Sequence, residues 1–119
     1  MLAYATLGTK DLPKAAAFYD EVLGMLGARR FMEEPDYFIA WGNSETGAGL
    51  GITYPFDKQA ASVGNGTMVA LQGDSRAQVD AVHAKALELG GTDEGAPGQR
   101  WPGFYAAYFR DLDGNKLNC

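Results

Sequence analysis

Gly66-Thr67-Met68-Val69-Ala70-Leu71 is the stretch whose reading decides the fold. It is a short apolar run with a β-branched centre, bounded upstream by Gly64-Asn65-Gly66, and it predicts a strand. Leu2-Ala3-Tyr4-Ala5-Thr6-Leu7 opens the chain in the same way. Sliding the sequence by 64 residues lays Tyr4 on Met68, Leu7 on Leu71, Ala17 on Ala81, Leu23 on Leu87 and Gly27 on Gly91. Identity between the halves is thin, but the order of elements repeats.

Working outward, each opening strand is followed by a capped amphipathic helix. Asp11 caps the first, with Pro13 in its first turn, where a missing N–H is harmless. Ala15, Ala16, Tyr19, Val22, Leu23 and Leu26 form its buried stripe, and the glycines at 24 and 27 end it. Asp74-Ser75 caps the second helix, Arg76 to Leu89, which is buried through Val79, Val82, His83, Ala86 and Leu89 and stopped by Gly90-Gly91. Three strands follow each helix: Ala28 to Glu33, Tyr37 to Trp41 and Gly49 to Tyr54 in the first half, and Thr92 to Ala96, Phe104 to Arg110 and Asn115 to Cys119 in the second. Pro97 to Gly103 reads as a loop, and Phe56 to Gly66 as a crossover between modules. The expected architecture is α+β: one domain, 1–119, of two βαβββ modules (about 1–57 and 65–119) that form an open, curved mixed sheet. A single such module leaves one sheet face uncovered, so the two must pack together or pair with another chain, and a homodimer is expected.

Composition narrows the partners. A chain of 119 residues supports one core, and 46% apolar content excludes disorder. Ten Lys and Arg against fifteen Asp and Glu give a net charge of -5, which disfavours nucleic acid, whose phosphates reward clustered cations. The lone Cys119 has no partner for an intrachain disulfide, so a reducing cytoplasm is expected. No apolar run spans a bilayer, and the first residues carry no secretory signal pattern.

Several motifs in this order resemble the vicinal oxygen chelate superfamily, which includes glyoxalase I, extradiol dioxygenases and bleomycin-resistance proteins. They are Asp11-Leu12, Ala17-Phe18-Tyr19, Leu23-Gly24, Pro55-Phe56-Asp57, Gly64-Asn65-Gly66-Thr67, Gly90-Gly91-Thr92 and Asp111-Leu112-Asp113-Gly114-Asn115-Lys116. The resemblance spans the whole chain. It implies a divalent metal site with one ligand on the first and one on the last strand of each module, filled by His, Gln or Glu. Here the first-strand positions hold Tyr4 and Met68; the last-strand positions, four residues after Gly47 and Gly114, hold Gly51 and Asn118. A phenol, a thioether, a glycine and a neutral amide are not a usual donor set for Zn, Ni, Fe or Mn. The resemblance therefore supports the fold and argues against metal-dependent glyoxalase or dioxygenase activity; no metal and no cofactor are expected.

Other chemistry is poorly supported. His83, the only histidine, has no Cys or His partner at ligand spacing and reads as a helix-packing residue with one hydrogen bond. Asp111 and Asp113 read as turn carboxylates. What remains is a pocket for a small-molecule ligand, planar or cationic, in the trough that carries Tyr4, Thr6, Gly51, Met68 and Ala70. Pairing through the Asp111–Gly114 turn sets Asn118 across from Ala107 with Tyr105 and Phe109 alongside, while a one-residue slip substitutes Phe104, Ala106 and Tyr108. Trp41, Tyr54 and Trp101 are further aromatic candidates near strand ends, and Arg100 is a candidate anion contact. Two other readings stay open: a lyase or isomerase with a displaced metal site or an acid/base pair such as Tyr4 with Asn118 or Arg100, and a non-catalytic dimeric interaction protein whose trough is filled.

Overall fold

Both halves of the computed structural model, which describes residues 1–119 throughout, run in the same order of elements. The first is β1 (Tyr4–Gly8), α1 (Leu12–Gly24), β2 (Arg29–Glu34), β3 (Phe38–Gly42) and β4 (Gly49–Thr53). The second is β5 (Val69–Ala70), α2 (Arg76–Glu88), β6 (Thr92–Trp101), β7 (Phe104–Arg110) and β8 (Lys116–Asn118). The strands make two four-stranded mixed sheets, β1-β4-β3-β2 and β5-β8-β7-β6, here sheets A and B. The expected α+β, two-module open-sheet fold is the one observed. The internal repeat also holds at the level of register. Thr6 lies across from Gly51 in the parallel β1–β4 pair, and its counterpart Ala70 lies across from Asn118 in the parallel β5–β8 pair.

The helices start where their caps dictate. The Asp11 side chain accepts from Lys14 N–H, and the Ser75 side chain accepts from Gln78 N–H, each satisfying a donor that the first turn leaves free. Each helix covers one face of its own sheet. Alternation then sends Leu7, Ile39, Trp41, Leu50 and Ile52 of sheet A, and Ala107, Phe109 and Leu117 of sheet B, into a core shared by both modules. His83 is buried on α2, with Nε2 3.0 Å from Asp93 Oδ1.

The seam between modules is polar and specific. The β7–β8 turn reaches across to the first module: the Tyr19 hydroxyl donates to Asp111 Oδ2 at 2.6 Å, and Asn115 Nδ2 donates to Gly8 O at 2.9 Å. Thr9 Oγ1 and Lys10 N–H donate to Asp113 at 2.6 and 2.9 Å. Asp111 also accepts from the N–H groups of Asp113 and Asn115 and from Asn115 Nδ2, so the turn is held from within and from outside.

Burial, and after it the Asp111 carboxylate, raises the Tyr19 phenol well above its ordinary value. A raised folded-state value means the stabilisation is complete below the unfolded phenol's titration near about 10 and is lost as pH rises beyond it. Urea unfolding above about pH 10 is therefore expected to show a falling stability limb. In Tyr19→Phe that limb is expected to flatten, while stability at neutral pH drops by about 1–3 kcal/mol because a donor to a carboxylate is removed.

Two sequence expectations are corrected. The expected loop from Pro97 to Gly103 shrinks to the turn at Pro102 and Gly103, because β6 continues to Trp101, absorbing Pro97 and its glycines in register shifts between Asp93 and Gly95, Gly95 and Gly98, and Gln99 and Trp101. As an edge strand, β6 tolerates a residue that lacks N–H. The β7–β8 register is the slipped one, with Tyr108 across from Asn118 and Phe109 across from Leu117. Gly114 explains the slip. Its N–H bonds Asp111 O, its φ of +91° turns the chain, and Asn115 O then accepts from Asp111 N–H, which makes a three-residue loop with a left-handed last position.

Candidate functional site

The helix-free face of each sheet carries the positions of interest. On sheet A, β1 contributes Tyr4, 61% exposed, and Thr6; β4 contributes Gly49 and Gly51; β3 contributes Phe38, Ala40 and Gly42. The glycines form a bed for two rings. A Cβ built on Gly51 would lie 2.6 Å from Phe38 Cε2 and 2.8 Å from its Cζ. One built on Gly49 would lie 3.0 Å from Phe31 Cε1, and one on Gly42 would lie 3.3 Å from the same ring. Phe31 and Phe38 thus fill the side-chain space that Gly49 and Gly51 leave on the last strand of the first module.

On sheet B, Ala70 and Asn118 share the helix-free face with Tyr108, which is paired with Asn118; the expected strand from Gly66 to Leu71 forms only at Val69–Ala70, so Met68 lies just ahead of it. The Arg100 guanidinium sits 5.3 Å from the Tyr108 ring centroid and the Lys116 ammonium 5.6 Å from it, so this ring already has two cations near it. Arg100 is further held by hydrogen bonds to the carbonyls of Ala96 and Gly98. Trp101 stacks on Phe104 at 4.3 Å with 11° between the planes, at the hairpin tip. Asn118 is buried, and its Oδ1 has no hydrogen-bond partner.

The candidate residues therefore divide into three groups. Tyr4, Thr6 and Gly51 come together on sheet A; Ala70, Arg100, Trp101 and Asn118 lie on sheet B, with Met68 just ahead of β5. Tyr4 lies on the other sheet from Asn118 and Arg100, the partners considered for an acid/base pair, and hydrogen-bonds to neither. Trp41, Tyr105 and Tyr54 lie elsewhere. Trp41 is on the helix side, 1% exposed, 5.8 Å from the Tyr19 ring and donating through Nε1 to Asp20 Oδ1. Asp20 also takes two hydrogen bonds from Arg30, which holds its carboxyl below the ordinary range. Tyr105, displaced by the register of the hairpin, packs on the core and donates to Asp80 Oδ1 on α2 at 2.6 Å. Tyr54 follows β4, accepts from Leu12 N–H, and lines a separate hollow beyond the end of the sheet.

Phe31, Phe38 and Tyr108 belong to these faces but are missing from the sequence-derived candidates, Tyr108 entering only through the alternative register. The signal for Phe38 and Phe31 is the set of glycines at 42, 49 and 51, which leaves room on β3 and β4 for a ring from each neighbouring strand, Phe31 from β2 and Phe38 from β3.

The four positions at which the resemblance places metal ligands do not fit a metal. Two donors, Tyr4 and Met68, are a phenol and a soft thioether; Gly51 has no side chain and its space holds the Phe38 ring; Asn118 offers one neutral oxygen. Elsewhere in the chain no three His, Cys, Asp or Glu side chains come together. No helix is long and apolar enough to cross a membrane.

Met68 lines a hollow with Gly64–Thr67, Arg110 and Lys116, to which sheet A contributes nothing. A further hollow lies between the modules, lined by Gly42, Gly49 and Leu50 of sheet A together with Val69 and Ala70 of sheet B.

Solved structures share this architecture. A glyoxalase/bleomycin resistance protein from Albidiferax ferrireducens T118 is 36% identical with a TM-score of 0.90, over 99% of this chain and 95% of that one. A hypothetical protein from S. aureus is 25% identical (TM-score 0.73, 99% and 90% covered), and a lactoylglutathione lyase from Agrobacterium tumefaciens is 23% identical (TM-score 0.72, 99% and 90% covered). No curated protein matches the chain. The family model described as Glyoxalase/Bleomycin resistance protein/Dioxygenase superfamily matches residues 1–119, and the chain belongs to that superfamily.

Proposed function

We propose that this protein binds a small organic molecule, without a metal, in a trough made when a second copy lays its sheet B over sheet A of the first. The observation that carries the reading is the Phe38 ring on Gly51, which puts an apolar wall where a metal-binding relative of this fold needs a donor. Tyr4, Phe31, Met32, Met68 and Trp101 are large apolar side chains between 42% and 61% exposed. An exposed set of this size on sheet faces is the mark of a partner or ligand surface. Because the two faces are related by the internal repeat, a two-fold pairing of chains closes two equal troughs. Tyr108 already has two cations beside its ring, so a neutral planar ligand suits the trough better than a cationic one. A single cysteine, raised in pKa by burial, fits a reducing cytoplasm.

Sedimentation equilibrium with calorimetric titration of 2-naphthol tests this. The expected result is a dimer that binds one 2-naphthol per chain, with affinity weakened about tenfold in Tyr4→Ala/Met68→Lys through lost aromatic and apolar contact. A monomer, or binding indifferent to those substitutions, would contradict the proposal.

A further inference from the structure

We propose a second binding site, for an aromatic monocarboxylate, in the hollow beyond the end of sheet A. This hollow, about 670 Å³, is distinct from the sheet faces and includes none of Tyr4, Gly51, Met68 or Asn118. Its size is that of a small-molecule pocket. Its apolar lining comes from Tyr37, Tyr54 and Phe56; Tyr37 is 55% exposed and Phe56 fully so, which leaves ring faces available for a flat ligand.

Three polar features select the ligand's charge. Lys10 and Lys58 both line the hollow, and the ion pairs of the chain use Arg30, His83, Lys85 and Arg110 only, so neither ammonium is neutralised. Asp36 lines it too, leaving one net positive charge in a protein whose overall charge is -5. That balance matches a monoanion and disfavours a dianion such as phosphate. The Tyr54 hydroxyl accepts from Leu12 N–H at 3.1 Å and donates to no group of the chain, so its proton is available to a carboxylate oxygen.

The backbone supports the same assignment. Lys58 is the only residue other than glycine with a left-handed backbone, φ +62°, at the end of a turn closed by its N–H on Pro55 O. An unbranched cation held where glycine is favoured is a conformation kept at a cost to the fold, and such positions gather at ligand sites.

Titration of the full chain with 2-naphthoate, and with uncharged 2-naphthamide as control, tests the proposal. The expected result is saturable 2-naphthoate binding at least about tenfold tighter than the amide, weakened about three- to tenfold in each of Lys10→Ala, Lys58→Gly and Tyr54→Phe as one charge-assisted contact is lost. Lys58→Gly is expected to melt no lower than the parent, because glycine takes φ +62° freely. Equal affinity for acid and amide would overturn the proposal. So would 2-naphthoate binding that is lost in Tyr4→Ala and kept in Lys58→Gly, which places the ligand in the trough. A lower melting temperature in Lys58→Gly together with lost binding would assign Lys58 to the fold alone and equally overturn it.

Discussion

Asp111→Ala is expected to destabilise the protein by about 3–5 kcal/mol, the largest single-residue loss outside the apolar core. Asp111 is 5% exposed and accepts four hydrogen bonds, from the Tyr19 hydroxyl, from the N–H groups of Asp113 and Asn115, and from Asn115 Nδ2. Alanine would take this acceptor from all four donors; Asn115 Nδ2 keeps Gly8 O, but the Tyr19 hydroxyl and the N–H groups of Asp113 and Asn115 would be left without a partner, and each unsatisfied buried group carries its desolvation penalty. The loss spreads beyond the turn. Asn115 Nδ2 also holds Gly8 O, and Tyr19 belongs to α1, so the seam that joins the modules loosens with it. Urea unfolding of Asp111→Ala beside Tyr19→Phe measures this: the alanine variant is expected to lose clearly more, because Tyr19→Phe leaves Asp111 three of its four partners. Equal losses would mean that the turn is held by something other than this carboxylate.

The local half of that seam is legible in the amino-acid sequence. Asp111-Leu112-Asp113-Gly114 reads as a turn because Asp side chains bond nearby N–H groups and Gly accepts positive φ. Its long-range half is not, because nothing local ties Tyr19 to a residue 92 positions away. The same division runs through the fold. Caps at Asp11 and Ser75 and the repeat of Tyr4 on Met68 follow from spacing and side-chain chemistry, and the pairing of Thr6 with Gly51 and Ala70 with Asn118 bears the repeat out. Register is harder. The one-residue slip that exchanges Tyr105 for Tyr108 depends on whether Asn115 or Gly114 closes the loop, a difference of one hydrogen bond. The candidate site is the least legible part. Trp41 and Phe38 sit three residues apart on one strand, yet alternation sends Trp41 to α1 and Phe38 to the helix-free face, and one residue of phase decides which is available to a ligand.

Gly51→Ala is expected to destabilise by about 1–3 kcal/mol, the opposite sign from the gain that Gly→Ala normally brings to a strand. Nothing in the backbone forbids alanine, since Gly51 is not among the glycines of positive φ. The penalty comes from contact alone: the new Cβ would stand 2.6 Å from a Phe38 ring carbon, too close for any real packing, while Thr6 Cγ2 at 3.4 Å hems in the other side. Phe38→Ala is expected to remove the clash, so Gly51→Ala should be neutral or stabilising in a Phe38→Ala background. Chemical denaturation of the two single variants and the double variant gives the coupling directly, and a coupling near zero would mean that the ring does not rest on Gly51.

The proposed metal-free reading rests on Phe38 occupying the side-chain space of Gly51, and metal affinity is therefore its most direct measure. The unmodified protein, purified without chelator, is titrated with Zn, Ni, Mn and Fe(II) while its melting temperature and bound metal are followed. With a phenol, a thioether, an amide and a phenyl ring at the four positions, no stoichiometric metal and no saturable rise in melting temperature are expected. One tightly held ion per chain, raising the melting temperature by about 10 °C at a hundredfold excess over its dissociation constant, would contradict the metal-free reading.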